Sequence, residues 1–312
     1  MIEVAIMIEG QDGLTWDRWK RFARITDEMG FDGLFRSDHY TNGRPPDKDS
    51  LEAWTSLTWL ASHTNRIEFG PLVSPLSFRD PTMLARMAAA VDDLSGGRLT
   101  LGLGAGWQER EHEKFGWDLL DVPDRFERFE DGLEIITRLL NSEEPSTYEG
   151  KYYQIRDAVL LPRPQRPGGP RILIGGNGTR RTLPLAARFA DEWNAIYNTV
   201  DDFARRNALL DDLAQEQGRD PKAIRRSMMT GVEFGRSDAE VKVLVEKRTG
   251  GKLSPSELRQ DRGALVGTAG EIVDHLGRLA EAGCQRVMAQ WLVQDDIDRL
   301  EAFASQVLPQ LA

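Results

Sequence analysis

The chain has a single cysteine, few histidines and no excess of positive charge. Because Cys284 is the only cysteine among 312 residues, an internal disulfide is impossible and a cysteine-based metal site is not expected. The four histidines show no metal-ligand spacing, so no metal is predicted. A formal net charge of -10 repels phosphate backbones and anionic lipids, which argues against nucleic acid and membranes as main partners.

Long apolar runs are also missing. No run approaches the ~20 residues that are needed to cross a bilayer. Residues 1–10 lack the basic start of a signal peptide, so the expected location is the cytoplasm. With 40% hydrophobic and 29% charged residues, the composition is that of a globular protein.

Short apolar runs alternate with helix-period stretches along the whole chain. The runs are nearly continuous in hydrophobicity, which is typical of strands buried on both faces of a parallel sheet. They are Val4–Ile8, Gly33–Phe35, Ile67–Phe69, Leu99–Leu103, Arg171–Ile174, Glu192–Ile196, Met228–Phe234 and Arg286–Gln290. Eight strands alternating with helices predict an α/β fold, a (β/α)8 TIM barrel that forms one domain over residues 1–312. An open doubly wound sheet is the alternative.

Two segments interrupt this alternation. Ser142–Pro170, between the fourth and fifth strands, holds five prolines and a predicted hairpin of Thr147–Glu149, Gly150 and Tyr152–Ile155. Thr249–Arg262 is a polar stretch after the seventh strand. Both are interpreted as insertions in the βα loops, which lie at the catalytic, C-terminal end of a barrel.

Residues just after the predicted strands are candidates for chemistry, because a barrel collects its active site at these strand ends. Asp38 and His39 follow the second strand. Imidazole is the side chain best matched to proton transfer near neutral pH, so His39 is the candidate acid–base residue. A loop histidine bound to a backbone carbonyl is the alternative interpretation.

Two glycine-rich turns are candidates for ligand contact. Gly104, Ala105 and Gly106 follow the fourth strand and would let a flat ligand approach the backbone; a tight turn is the alternative. The run Gly175, Gly176, Asn177, Gly178 and Thr179 follows the fifth strand, and Thr179 is predicted to cap a helix over Arg180–Ala190. Free backbone N–H groups at such a helix start favour a phosphate site over a simple turn.

Several segments follow one another in a distinctive order. They are Asp38-His39, Gly70–Pro81, Leu94–Leu99, Gly102–Trp107 with Glu111-His112, Ile174–Gly178 and Ala190–Asn194. In this order they resemble the bacterial-luciferase-like monooxygenase family. The resemblance is closest to its deazaflavin branch, which uses coenzyme F420.

The resemblance implies a cofactor ring in the mouth of the barrel. It implies that His39 lies near the reactive carbon of the ring as a proton donor or acceptor, and that Asp38 binds the ring or its side chain. A non-prolyl cis peptide is implied behind the ring, between Leu72 and Val73. The residues from Gly104 to Trp107 would line the ring, and the run Gly175–Thr179 would bind the phosphate.

The sequence departs from the sugar-phosphate dehydrogenases of this group. They carry a tryptophan shortly after the Asp-His pair and a glutamate directly after the Gly-x-Gly turn, where this chain has Tyr40 and Trp107. Sugar-phosphate oxidation is therefore not expected. Tyr40 and Trp107 predict an apolar or aromatic substrate pocket, and Glu111 and His112 are also predicted to line it.

The resemblance implies an oxidoreductase that transfers a hydride between coenzyme F420 and an unidentified small organic substrate. One alternative is an FMN-dependent monooxygenase that uses dioxygen and is supplied by a separate reductase. Another is a flavin-binding barrel without turnover of its own. A homodimer is also expected, since dimers are common in the family.

Overall fold

The computed structural model describes residues 2–311, and its strands and helices alternate along the chain. The strands are β1 (Glu3–Ile8), β2 (Gly33–Arg36), β3 (Glu68–Pro71), β4 (Ser74–Pro75), β5 (Thr100–Gly104), β6 (Ser146–Glu149), β7 (Gln154–Ala158), β8 (Arg171–Gly175), β9 (Glu192–Ile196), β10 (Arg225–Phe234), β11 (Leu265–Gly267) and β12 (Arg286–Gln290). The helices are α1 (Trp16–Glu28), α2 (Ala53–His63), α3 (Pro81–Ser95), α4 (Glu109–Phe115), α5 (Val122–Asn141), α6 (Thr182–Phe189), α7 (Val200–Glu216), α8 (Asp238–Thr249), α9 (Pro255–Arg262), α10 (Ala269–Glu281) and α11 (Ile297–Val307).

The main sheet closes into a barrel of parallel strands. Its order is β3-β2-β1-β12-β10-β9-β8-β5-β4, and a parallel bridge between Phe69 and Leu99 joins β3 to the segment before β5. All eight predicted runs contribute to this barrel. The predicted (β/α)8 fold is therefore confirmed, and the open sheet is excluded.

The third barrel strand is split into two pieces. Its first half, β3, pairs with β2, whereas its second half, β4, pairs with β5. The peptide bond between Leu72 and Val73, which joins the two halves, is cis. This confirms the cis bond that the family resemblance implied.

Local sequence sets the limits of the helices around the barrel. In α3, the Asp80 carboxylate accepts a hydrogen bond from the backbone N–H of Thr82 at 2.8 Å, and Pro81 occupies the first helical position, where its missing N–H has no partner to lose. Gly96 ends the helix at a φ of 70°, a left-handed conformation that glycine adopts without strain. The main hydrophobic core lies between these helices and the barrel.

The N-terminal end of the barrel is closed by buried ion pairs. The Arg286 guanidinium lies at 2.6 Å from a Glu3 carboxylate oxygen, 2.7 Å from one of Glu68 and 3.4 Å from one of Glu192. Arg286 and Glu192 are almost completely buried. Burial raises the pKa of Glu192, although the positive charge of Arg286 opposes that rise.

A layer of apolar side chains separates this ion-pair cluster from the C-terminal end of the barrel. It consists of Ala5, Met7, Phe35, Leu72, Leu173, Met229 and Met288. The barrel interior is therefore a packed core and not a channel. Among residues 2–311, no helix is both long enough and apolar enough to cross a membrane.

The two interrupting segments differ from their sequence-based description. Residues 142–170 form the hairpin of β6 and β7, but they follow α5 and pack against it, where Asp131 accepts hydrogen bonds from Tyr148 and from the backbone of Tyr152, each at 2.7 Å. They therefore belong to an αβ connection and do not line the mouth. The second segment contains a helix, α9, and the strand β11 that follows it pairs with the C-terminal end of β10.

Candidate functional site

A cavity of about 590 Å³ opens at the C-terminal end of the barrel. Its lining includes eight residues that were predicted from the sequence: His39, Leu72, Val73, Gly104, Ala105, Gly106, Trp107 and Gly175. Sequence reasoning missed the others: Met7, Glu9, Gln11, Ser37, Pro75, Val122, Arg125, Phe126, Asn194, Ile196, Tyr197, Met229 and Gln290. Many of these lie at or just after strand ends, the same positional rule that singled out His39.

His39 and Glu111 form a buried pair at the cavity wall. The Nδ1–H of His39 donates to Glu111 Oε1 at 2.8 Å, and the other carboxylate oxygen accepts from the backbone N–H of Tyr40 at 3.0 Å. The Glu111 side chain is only 1% exposed, so it lies behind the imidazole rather than in the cavity. This arrangement fixes the tautomer and leaves Nε2 of His39 for a ligand.

The electrostatics of the pair favour the protonated imidazole. Burial alone would lower the pKa of His39, because a buried charge loses its hydration. The hydrogen bond to Glu111 and its negative charge outweigh this effect, and the pKa of His39 is raised above its ordinary value. The raised pKa favours the protonated imidazole, which is the form that can deliver a proton to a ligand. Its ring also contacts Trp107 edge to face, with a centroid distance of 5.6 Å.

Asp38 lies away from the cavity, although it precedes His39 in sequence. Its carboxylate accepts a hydrogen bond from Ser74 at 2.7 Å and pairs with the guanidinium of Arg79. Adjacent residues at a strand end point in opposite directions, which separates the two side chains. The structure thus ties Asp38 to Ser74 of β4 and to Arg79, outside the lining of the cavity.

Tyr40 and His112 are also outside the cavity lining. Tyr40 packs in an aromatic cluster with Phe78 and Trp117, at ring distances of 5.2 Å and 4.6 Å. His112 donates from Nδ1 to the carbonyl of Gln108 at 2.7 Å and accepts from the hydroxyl of Ser77 at 2.8 Å. Both ring nitrogens of His112 therefore form hydrogen bonds within the protein. The aromatic cluster packs next to α4, outside the lining of the cavity.

The glycines of the cavity wall make room for Val73. A Cβ atom at Gly104 would lie 2.6 Å from Val73 Cγ2, and one at Gly175 would lie 3.1 Å from Val73 Cγ1. The sequence predicts that Gly104 admits a ligand ring, whereas the structure shows a side chain in that space. The result is a smooth apolar surface centred on Val73.

The glycine-rich turn after β8 has several free amides. Gly176 has a φ of 131°, and its amide donates to the carbonyl of Asn194 at 2.9 Å. Within the part of the chain that the structure describes, the backbone N–H groups of residues 177–181 have no acceptor. The Asn177 side chain is bound to the backbone of Ile196 through both its amide and its carbonyl group. Five amides are thus available for an anion next to the cavity.

The helix start at this turn was predicted incorrectly. The helix α6 begins at Thr182, with Arg181 at the capping position and no side-chain cap, so Thr179 is part of the turn. The turn is longer than predicted, because residues 176–181 lie between the end of β8 and the start of α6. The exposed Arg180 and Arg181 follow the free amides directly.

Arg125, a cavity residue that sequence reasoning missed, adds positive charge. Its guanidinium donates only to backbone carbonyls, those of Leu119, Gly106 and Leu120, at 3.3, 3.2 and 3.0 Å. No carboxylate of residues 2–311 forms an ion pair with it. Among these same residues, no group of three or more His, Cys, Asp or Glu side chains is arranged to hold a metal ion.

Known proteins share this fold and parts of this sequence. The F420-dependent glucose-6-phosphate dehydrogenase of Kineococcus radiotolerans is 32% identical over 161 residues, which cover 51% of this chain and 47% of that protein. The chain thus spans about half the length of this relative. The 4-hydroxyprotoasukamycin monooxygenase of Streptomyces nodosus subsp. asukaensis is 28% identical over 338 residues, covering 96% of this chain and 88% of that protein.

Solved structures agree on the architecture. The structure of an F420-dependent secondary alcohol dehydrogenase in complex with an F420-acetone adduct superposes with a TM-score of 0.84 at 19% identity, covering 100% of this chain and 99% of that chain. At this identity the likeness establishes the fold alone. The sequence model of the luciferase-like monooxygenase family matches residues 3–259. The chain therefore belongs to the luciferase-like monooxygenase family.

Proposed function

We propose that this protein is a deazaflavin-dependent oxidoreductase that transfers a hydride between coenzyme F420 and a small organic substrate. The observation that carries the proposal is the His39–Glu111 pair, because it holds at the cavity wall an imidazole whose pKa is raised by a buried carboxylate. Adding a hydride to a carbonyl carbon requires a proton at the oxygen, and Nε2 of His39 is placed to supply it. In the reverse direction the neutral imidazole accepts the proton of the alcohol.

The cavity residues fit a flavin-type cofactor. The apolar wall around Val73 and Leu72 matches one face of a flat ring. The free amides of residues 177–181 and the guanidinium of Arg125 match a phosphate group. When bound, the deazaflavin supplies the hydride, whereas this chain binds the ring, excludes water and moves the proton at His39.

A second candidate function is an FMN-dependent monooxygenase. It is favoured by the 4-hydroxyprotoasukamycin monooxygenase match, which covers 96% of this chain. The same wall and the same free amides would hold FMN. The two candidates therefore differ in the cofactor that binds tightly and in the need for dioxygen.

We expect titration to show an affinity for F420 at least about tenfold above that for FMN.

The Gly176→Val variant should bind F420 about tenfold or more weakly, because valine resists a φ of 131° and strain of about 1–3 kcal/mol would distort the turn. Gly218→Val is the matched control, since its φ is 69° and a Cβ added there, just past the end of α7, would meet no atom within 4 Å. Tighter binding of FMN would favour the monooxygenase, and an unchanged affinity of Gly176→Val would remove the turn from the cofactor site.

The pH dependence of carbonyl reduction should depend on Glu111. This carboxylate raises the pKa of His39, so the acid form persists to higher pH in the wild type. Replacing it in Glu111→Gln removes the negative charge and lowers that pKa. The limb on which kcat/KM falls with rising pH is expected to move to lower pH. Glu109→Gln, an exposed position on the same helix, should leave the profile in place; a limb that stays unmoved in Glu111→Gln would contradict the role of the pair.

A further inference from the structure

One side of the cavity is lined by a continuous chain of polar side chains. Ser37 donates to Gln11 Oε1 at 2.6 Å, and Gln11 Nε2 donates to Glu9 Oε2 at 2.8 Å. From the other direction, Tyr197 donates to Gln290 Oε1, and Gln290 Nε2 donates to Glu9 Oε1 at 2.5 Å. These five side chains form a polar ribbon, Ser37–Gln11–Glu9–Gln290–Tyr197. Its hydrogen bonds run toward Glu9 from both ends, so the Glu9 carboxylate is the final acceptor.

Glu9 has no ion-pair partner among the described residues, although its charge interacts at longer range with Arg36 and His39. Its two hydrogen-bond donors are neutral amides, and no Lys, Arg or His nitrogen of residues 2–311 lies within ion-pair distance of it. Two cations near the mouth are committed elsewhere, since His39 donates to its own carboxylate partner and Arg248 pairs with Glu233 at 2.8 Å, whereas Arg125 forms no ion pair with any carboxylate of residues 2–311. Glu9 therefore presents to the cavity a carboxylate that accepts two neutral amide hydrogen bonds and has no ion-pair partner.

Arg36, a further cation near the polar ribbon, is also unavailable to form an ion pair with Glu9. Arg36 is fully buried and donates to the backbone carbonyls of Leu51 and Ser37 and to the hydroxyl of Ser56. Burial lowers its pKa to about 10, which still leaves it charged at neutral pH. Its guanidinium cannot turn toward Glu9, because these contacts and the close approach of Gly10 fix its position.

The opposite side of the cavity is mainly apolar, with Arg125 as its charged residue. It is formed by Leu72, Val73, Pro75, Val122 and Phe126. A flat cofactor ring packs best on this side, which leaves the polar ribbon to the substrate. A carboxylate in a site partly shielded from water strongly prefers a cationic partner over a neutral one.

We propose that the substrate carries a primary ammonium group that binds Glu9, and that its carbonyl or alcohol carbon lies near His39. This inference rests on the proposed hydride transfer. In the reducing direction, the carbonyl carbon gains the hydride of the reduced deazaflavin and the oxygen gains the proton of His39. The products are the amino alcohol and the oxidised cofactor, and the proton that the cofactor releases restores His39.

The test compares a cationic ketone with a neutral one of similar size on the cofactor-loaded protein. The probes are 1-amino-2-propanone, which is protonated at neutral pH, and 2-butanone, and binding is measured by calorimetry. The expected result is an affinity for the amino ketone at least about tenfold above that for 2-butanone. In Glu9→Gln this ratio should fall to about one, whereas Glu216→Gln, an exposed carboxylate at the end of α7, should keep the wild-type ratio.

Equal or weaker binding of the amino ketone by the wild-type protein would overturn the proposal without any variant. A preference that survives in Glu9→Gln would also overturn it. Because binding requires no turnover, the result does not depend on the proposed function. A preference for the amino ketone without oxidation of reduced F420 would support the ammonium site and contradict only the hydride transfer.

Discussion

Replacing His39 with alanine is expected to lower turnover by a factor of about 10²–10⁴ while the affinity for the cofactor is retained. His39 is the one histidine of the cavity lining among residues 2–311, and a buried carboxylate raises its pKa. Alanine removes the proton donor but leaves the apolar wall around Val73 and the amides of residues 177–181 in place. The measurement combines steady-state turnover with a cofactor titration.

A matched control for this variant is His63→Ala. His63 is exposed at the end of α2, and its Nδ1 lies 2.8 Å from the carbonyl of Trp59, far from the cavity lining. Turnover in this control should equal that of the wild type. Unchanged turnover in His39→Ala would exclude the imidazole from the reaction. If the wild-type protein binds the cofactor but turns over no substrate, the alternative of a flavin-binding barrel without catalysis gains support.

Replacing Arg286 with leucine is expected to reduce the free energy of unfolding by about 3–5 kcal/mol. Arg286 is buried at the N-terminal end of the barrel between Glu3, Glu68 and Glu192. Without the guanidinium, Glu192 becomes a buried charge that Arg225 alone approaches, at 3.8 Å. The loss should be larger at neutral pH than in acid, because a protonated Glu192 no longer carries the uncompensated charge.

Urea unfolding of the variant and of Arg171→Leu tests this expectation. Arg171 also pairs with Glu68, at 3.5 Å, but its side chain is 46% exposed. Exposed pairs contribute about 0–1 kcal/mol, so the control should lose little stability. Similar losses of unfolding free energy in both variants would show that the ion pairs of Arg286 contribute no more than an exposed pair. The charges of the cluster would then be well hydrated.

The barrel follows from the sequence because its strands are buried on both faces. Such strands are nearly continuous apolar runs, and each of the eight predicted runs lies in or overlaps a barrel strand. Periodicity missed β4, since Ser74 and Pro75 are too few and too polar to form an apolar run. It also misplaced the segment 142–170, because an αβ connection and a βα loop look alike in composition.

The candidate site was predicted in part. His39 and the glycine-rich turns were found because each comes directly after an apolar run. The hydrogen bond between Glu9 and Gln290 could not be predicted, because the two residues are 281 positions apart in sequence and only closure of the barrel brings their side chains together. The pairing of His39 with Glu111 likewise depends on how α4 packs against the loop after β2, which no local pattern encodes.

The methionines on the floor of the barrel mouth have a chemical consequence. Met7 and Met229 line the cavity, and their thioethers are oxidised to sulfoxides by peroxides. An enzyme that reduced dioxygen here would expose both sulfurs to leaked hydrogen peroxide at every uncoupled cycle. Hydride transfer to a carbonyl forms no peroxide, so sulfoxide at Met7 or Met229 that appears only during turnover in air would favour dioxygen chemistry.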